Sequence, residues 1–302
     1  MPLCVCTVIA PPNTTLPHQD IIALLRNHGA TIHLEQWLSQ KDSVHAHAHE
    51  ILFSGGDFTF LSALLHEKSS SWHIDIILQP HSVREKELLI SDMDSTIINE
   101  ECIDELADMV GLKSEVSAIT ARAMNGALDF AEALVQRVSL LKGLPVADMQ
   151  RVLDERITLM KGARTLIQTL RARGVYCVLV SGGFTFFTEA ILQRVGFDAH
   201  YANMLLIENE RLTGEVASPI LGKEAKRETL LTLASERQIP LEKTIAIGDG
   251  ANDLPMILAA GLGIAYHAKP SVELAASHRI RHNDLTALLF VLGIAESEWV
   301  MN

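Results

Sequence analysis

The sequence predicts an α/β protein: a parallel-sheet core with an inserted helical region, behind a small N-terminal α+β unit of order βαββαβ. Three observations predict it. Residues 1–80 break into short strand-like and helix-like runs; from residue 88 apolar runs alternate with long helical patterns; and about 75 residues of helical pattern, Asn99 to Arg173, separate the first two apolar runs. Strands alternating with helices imply a parallel sheet. The length of 302 residues leaves room for two domains, divided as 1–80 and 81–302, and 48% hydrophobic content supplies a sizeable core.

In the first unit, "LCVCTVIA" reads as a strand, and "LPHQDIIALLRNHG" has helical apolar spacing with a stop at Gly29. "ATIHLEQWLS" and "SVHAHAHEILFS" read as strands, "DFTFLSALLHEKSS" as a helix and "WHIDIILQP" as a final strand. This order suggests an antiparallel sheet covered by two helices. "PHSVREKE", residues 80–87, is the expected linker, so a chain beginning near Val83 is expected to fold alone.

In the second unit three apolar runs stand out: "LLI" before Ser91-Asp92, "VYCVLV" before Ser181-Gly182-Gly183, and "TIAI" before Gly248-Asp249-Gly250. The long interval between the first two exceeds a crossover helix, so an inserted helical cap is expected at about 100–160.

A net charge of −12, from 25 basic and 37 acidic residues, argues against nucleic-acid and membrane partners, which reward a basic surface. An anionic substrate must then be drawn by local cations or a metal. Met1–Pro12 lacks a secretory pattern, so Cys4, Cys6, Cys102 and Cys177 are expected as reduced thiols in the cytoplasm. The stretch "LTALLFVLGIA" falls far short of the roughly 20 residues a spanning helix needs.

In an open α/β sheet, ligands bind beyond the carboxyl ends of the strands. All three runs end there in polar, acidic or glycine-rich residues. Asp92 and Asp94 follow the first, and "GDGANDLP" adds Asp249, Asn252 and Asp253. Four carboxylates on one sheet edge repel one another unless a hard cation joins them, and oxygen ligands suit Mg²⁺. Ser181 offers a hydroxyl, Gly182 and Gly183 allow close approach of N–H groups to a phosphate, and Lys226 offers a point charge.

"DMDST", "SGGF", the downstream lysine and "GDGANDLPM" resemble the haloacid dehalogenase superfamily, and more closely its bacterial phosphoserine phosphatase family, over residues 88–295. The resemblance implies a haloacid dehalogenase-like fold with Asp92 as nucleophile and Asp94 as general acid/base. It implies Mg²⁺ held by Asp92, the backbone carbonyl of Asp94 and Asp249. Ser181, Gly182 and Lys226 would bind the phosphoryl group, with Asn252 nearby and Asp253 orienting Lys226. Glu101 and Arg137 would read the ammonium and carboxylate of phosphoserine, with Met124 and Phe130 closing the pocket. The implied reaction is hydrolysis of O-phosphoserine to serine through an aspartyl-phosphate, the last step of serine biosynthesis. Elementary chemistry agrees with the first two roles. An aspartate of ordinary pKa, about 3.9, needs no base to become a nucleophile. A carboxyl beside another and partly buried has the raised pKa a proton donor requires.

Two rivals share these motifs: phosphotransfer to another alcohol such as homoserine, and a serine-sensing protein without turnover. The intact Asp92, Asp94, Lys226 and Asp249 argue against the sensor. Residues 1–80 are similar in topology to ACT-like domains, which implies serine feedback or a homodimer. "HAHAH" places His45, His47 and His49 on one strand face, read as a solvated face rather than a metal site. No P-loop or Gly-x-Ser-x-Gly motif occurs, and Cys102 and Cys177 lack a cysteine-phosphatase context.

Overall fold

The structure, a computed structural model, describes residues 2–124 and 128–301. The first unit runs β1 (Leu3–Ala10), α1 (His18–Asn27), β2 (Ala30–Trp37), β3 (His47–Gly55), α2 (Phe58–Trp72) and β4 (Asp75–Pro80). Its sheet is antiparallel with order β2-β3-β1-β4. Side chains alternate along a strand. Cys4, Cys6 and Val8 therefore point with Ile51 and Phe53 toward Ile21 and Leu25 of α1 and Leu61 and Leu65 of α2. All four cysteines are free and buried.

The second unit opens with β5 (Leu88–Ser91), then the inserted helices α3 (Cys102–Met109), α4 (Lys113–Met124), α5 (Phe130–Ser139) and α6 (Val146–Glu155). The core resumes with α7 (Ala163–Ala172), β6 (Tyr176–Phe184), α8 (Thr185–Val195) and β7 (Ala199–Asn203). A hairpin of β8 (Leu205–Glu208) and β9 (Arg211–Val216) follows, then α9 (Lys223–Glu236) and β10 (Thr244–Gly248). The chain ends through α10 (Leu254–Ala259), β11 (Leu262–Tyr266), α11 (Pro270–Ala275), β12 (His278–Ile280) and α12 (Ala287–Val291). None of the helices among the described residues is long and apolar enough to cross a membrane.

The core sheet is parallel throughout, in the order β12-β11-β10-β5-β6-β7. The chain first builds from β5 to β6 and β7, then crosses to the other side with β10. The carboxyl end of β5 is thus the switch point where such sheets bind ligands. The hairpin was not foreseen; it braces the cap, with Gly143 N–H donating to Leu212 O at 2.8 Å and Leu212 N–H to Leu144 O at 2.9 Å.

The first unit's other sheet face departs from expectation. Ile9, Ala48 and Ile77 belong to the same apolar cluster as Leu285, Leu288 and Trp299 of the second unit. Nor is the connection at 80–87 a free linker. Arg84 is ion-paired with Glu50 and donates to Val291 O at 3.2 Å, while Lys86 Nζ donates to Glu242 O at 2.6 Å. A fragment beginning near Val83 would expose the shared apolar face, which counts against its folding alone. The three histidines do not gather either. His45 packs edge-on to Trp299, His47 Nε2 lies 3.0 Å from Pro12 O, and His49 packs against Trp37.

Glu50 is 5% exposed and its partner Arg84 12%. Removing one member of a buried pair leaves the other charge uncompensated, at about 3–5 kcal/mol. Arg84→Met is expected to lower unfolding stability by about that amount in a denaturant titration. A change below about 1 kcal/mol would show that Glu50 is solvated or satisfied without the arginine.

Candidate active site

Asp92 follows β5 directly, and its N–H continues the sheet by donating to Ile247 O at 3.0 Å. Asp92 is only 5% exposed. Its Oδ1 accepts from Met93 N–H at 2.7 Å and pairs with Lys226 Nζ at 2.7 Å. Lys226, in the first turn of α9, is itself buried at 1% exposure, not a solvated helix residue. Its Nζ also donates to Asp253 Oδ1 at 2.6 Å, and Asp253 Oδ2 accepts from Gly250 N–H at 2.9 Å. Asp253 fits because residue 248 is glycine: a Cβ there would lie 2.5 Å from the Asp253 carboxyl carbon.

Burial and then Asp253 push the Asp92 carboxyl well above the usual range, against the pull of Lys226, so the ordinary pKa expected of it does not hold and its ionised form calls for a further cation. Burial and Asp253 likewise push Asp249 up to about 6. Burial alone would lower the Lys226 pKa, but Asp253 and Asp92 outweigh it and raise it. The lysine therefore stays charged and holds two carboxylates together.

Asp94 faces the same space from the next turn. Its Oδ1 accepts from Cys102 N–H at 3.0 Å, at the start of α3, and its Oδ2 accepts from Ser181 O–H at 3.3 Å. Burial and then Glu101 push the Asp94 carboxyl up to about 6. Glu101 immediately precedes α3, and its side chain, rather than capping the helix, accepts from Ser95 O–H at 2.8 Å. The strand β6 runs on through Ser181, Gly182 and Gly183 rather than stopping before them. Ser181 Oγ meanwhile accepts from Gly183 N–H at 2.8 Å.

These groups line a cavity of about 550 Å³. Its floor carries Asp92, Asp94, Ser181, Gly182, Asp249 and Asn252, and its cap carries Glu101, Phe130 and Arg137. Phe130 lies so close over Gly182 that a Cβ there would fall 2.9 Å from its ring. Arg137 Nε donates to Ala133 O at 3.2 Å; burial lowers its pKa, opposed by Asp104, Glu101 and Asp94. Lys226 stands behind the lining, one contact away through Asp92, and Asp253 stands behind Lys226. Met124 ends α4, and its side chain lies outside the described residues.

Sequence reasoning missed two lysines of the lining, Lys223 and Lys269. Lys269 Nζ is 3.8 Å from Asp249 Oδ2. The signal was present: "AKPS" follows β11 at the same sheet edge as the other site segments.

Asp92, Asp249 and Asp253 each offer an oxygen within 4.8 Å of the others. Both Asp253 oxygens are already bonded, whereas the Asp249 carboxylate accepts no hydrogen bond among the described residues. A carboxylate nearly buried yet without a donor suits a cation, so Asp92 and Asp249 could hold a divalent metal. Without its lysine, the Asp92–Asp253 pair is two uncompensated buried acids. Lys226→Met is expected to cost about 3–5 kcal/mol of stability in metal-free buffer, read by denaturant titration. A loss under about 1 kcal/mol would mean that the lysine is not what neutralises them.

A family model of haloacid dehalogenase-like hydrolases matches residues 89–258. Phosphoserine phosphatase of Archaeoglobus fulgidus is 44% identical over 221 residues, which are 72% of this chain and 64% of that protein. Phosphoserine phosphatase of Lactococcus lactis is 45% identical over 214 residues, 70% of this chain and 99% of that one. The chain thus spans slightly less than two thirds of the first relative and nearly all of the second. Among solved structures, a haloacid dehalogenase family hydrolase of Salmonella enterica serovar Typhi superposes with a TM-score of 0.84 at 30% identity, covering 96% of this chain and 98% of that one. A phospho-aspartyl intermediate analogue of phosphoserine phosphatase superposes with a TM-score of 0.64 at 42% identity, covering 68% and 98%. On this likeness and on the shared strand-end carboxylates, the chain belongs to the haloacid dehalogenase-like hydrolases and, within them, to the phosphoserine phosphatase family.

Proposed function

We propose that this chain is a Mg²⁺-dependent phosphoserine phosphatase that hydrolyses O-phosphoserine to serine and phosphate. One observation carries the reading. A single cavity joins the Asp92, Asp94 and Ser181 end to one acid, Glu101, and one base, Arg137, on the cap. Phosphoserine presents a phosphate, an ammonium and a carboxylate, and those groups match it end to end.

Asp92 Oδ1 is fixed by Lys226 and Met93 N–H, which leaves Oδ2 to attack phosphorus. The bond from phosphorus to the serine oxygen breaks as Asp94 gives that oxygen a proton. A carboxyl held near pKa 6 is poised to do this close to neutral pH. Ionised Asp94 then takes a proton from water, whose oxygen attacks the phosphorus of the aspartyl-phosphate and restores Asp92. Ser181, Gly182, Asn252 and Lys226 hold the phosphoryl oxygens while Asp253 keeps Lys226 in place. When bound by Asp92, the Asp94 carbonyl and Asp249, Mg²⁺ supplies positive charge that offsets repulsion between carboxylate and phosphate. Phe130, close over Gly182, closes the pocket on the substrate.

The acidic composition supports a protein without a nucleic-acid or membrane partner, and four free buried thiols support the cytoplasm. The antiparallel β2-β3-β1-β4 sheet with two helices supports an ACT-like role for residues 1–80, in a homodimer or in feedback by serine.

Arginine can bond both oxygens of a carboxylate at once. Arg137→Ala is expected to lower kcat/KM for phosphoserine by roughly 30- to 1000-fold, from about 2–4 kcal/mol of lost binding. Hydrolysis of a small aryl phosphate, measured on the same preparation, should barely change. An equal loss on both substrates would overturn the assignment of Arg137, and a wild type that prefers another phosphate ester would overturn the function.

A further inference from the structure

Asp75 is the first residue of β4, in the N-terminal sheet, and is 1% exposed. Its Oδ1 accepts from Arg281 N–H at 2.8 Å. Its Oδ2 accepts from His282 N–H at 3.2 Å and from the Asn283 side-chain amide at 2.8 Å. These three donors belong to the second unit and are uncharged. A buried acid facing only neutral donors is costly, yet only a carboxylate can accept from all three with its two oxygens.

The contacts continue toward the active site. The Asn283 amide also donates to Ile9 O in β1 at 3.2 Å, so the N-terminal sheet holds it at two points. The main-chain oxygen of Asn283 lies 2.9 Å from His267 Nε2. His267 is held in the left-handed region at φ 41°, which for a non-glycine residue needs surrounding support. Its N–H donates to Ile280 O at 2.9 Å. Two residues on, Lys269 N–H donates to Asp249 O at 3.0 Å, and Lys269 Nζ approaches the Asp249 carboxylate. The segment 267–269 is thus fastened to Asn283 at one end and to Asp249 at the other.

We propose that Asp75 is a positioning residue for the cation side of the active site, acting through Asn283 and His267 on the segment whose Lys269 N–H holds the main chain of Asp249. The inference rests on the reading above that Asp249 helps hold Mg²⁺. It gives the N-terminal sheet a part in building the catalytic centre, beyond any regulatory or dimerising role. It also predicts where that part is felt: in the affinity for the metal rather than in the chemistry once the metal is bound.

The test uses the full chain, with Mg²⁺ as the probe, and compares wild type with Asp75→Asn, His267→Phe and the double variant. Partners that orient metal ligands typically govern affinity by about 10- to 100-fold. Each single variant is therefore expected to raise the Mg²⁺ dissociation constant about tenfold by calorimetry, with phosphoserine turnover recovered by excess Mg²⁺. The double variant should be little worse than the weaker single one, because both act along one path. A fall in Tm with unchanged Mg²⁺ affinity overturns the proposal, as does strict additivity. Should Asp75→Asn fail to fold, His267→Phe decides alone, since His267 is exposed and its ring shape is kept. A wild type that binds no Mg²⁺ overturns the proposed function itself, a result visible before any variant is compared.

Discussion

The site depends on one buried ammonium. Lys226 Nζ sits 2.7 Å from Asp92 and 2.6 Å from Asp253, at 1% exposure. It draws together the end of β5, the first turn of α9 and the residue that caps α10. Without it, the carboxylates that follow two neighbouring strands would repel each other in a space from which water is nearly excluded. Lys226, even with Lys269 3.8 Å from Asp249, does not balance Asp92, Asp94, Asp249 and Asp253 in so buried a space. Burial first, and the neighbouring negative charge after it, shift the first three carboxyls upward. A site left short of positive charge is one that favours a cation and, with it, an anionic substrate.

The floor and the cap divide the labour. The floor is built from strand ends whose backbones are fixed by the parallel sheet, so Asp92, Ser181 and Asp249 are held by the core itself. The cap residues sit on helices of an insertion, braced from below by the β8–β9 hairpin. Rigid placement suits the groups that meet the phosphoryl centre. Glu101 bridges the two parts, since it opens onto α3, bonds Ser95 and acts on Asp94.

Much of this was legible in the sequence, and the rest was hidden for physical reasons. Apolar runs ending in Asp92, Ser181 and Asp249 announce a parallel sheet edge, because a run buried on both faces reads as continuous. The order βαββαβ was equally readable from its periodicities. Lys226 was legible as a site cation, but its burial was not: in "GKEAKRETL" a lysine stands among charges, and only the meeting of three distant segments buries it. The joining of the two units escaped notice because Ile9, Ala48 and Ile77 say that a face is apolar without saying what covers it. Lys269 was missed because its link to Asp249 is made by the backbone as much as by its side chain.

The central claim is that Asp92, freed at one oxygen and held at the other by Lys226, takes the phosphoryl group itself. The most direct measurement is a rapid acid quench of the wild-type chain turning over phosphoserine labelled in its phosphate, followed by mapping of the labelled peptide. The account predicts an acid-stable, base-labile phosphate on the peptide containing Asp92 and on that residue. Label on Asp94, on a serine, or on no residue during active turnover would contradict it.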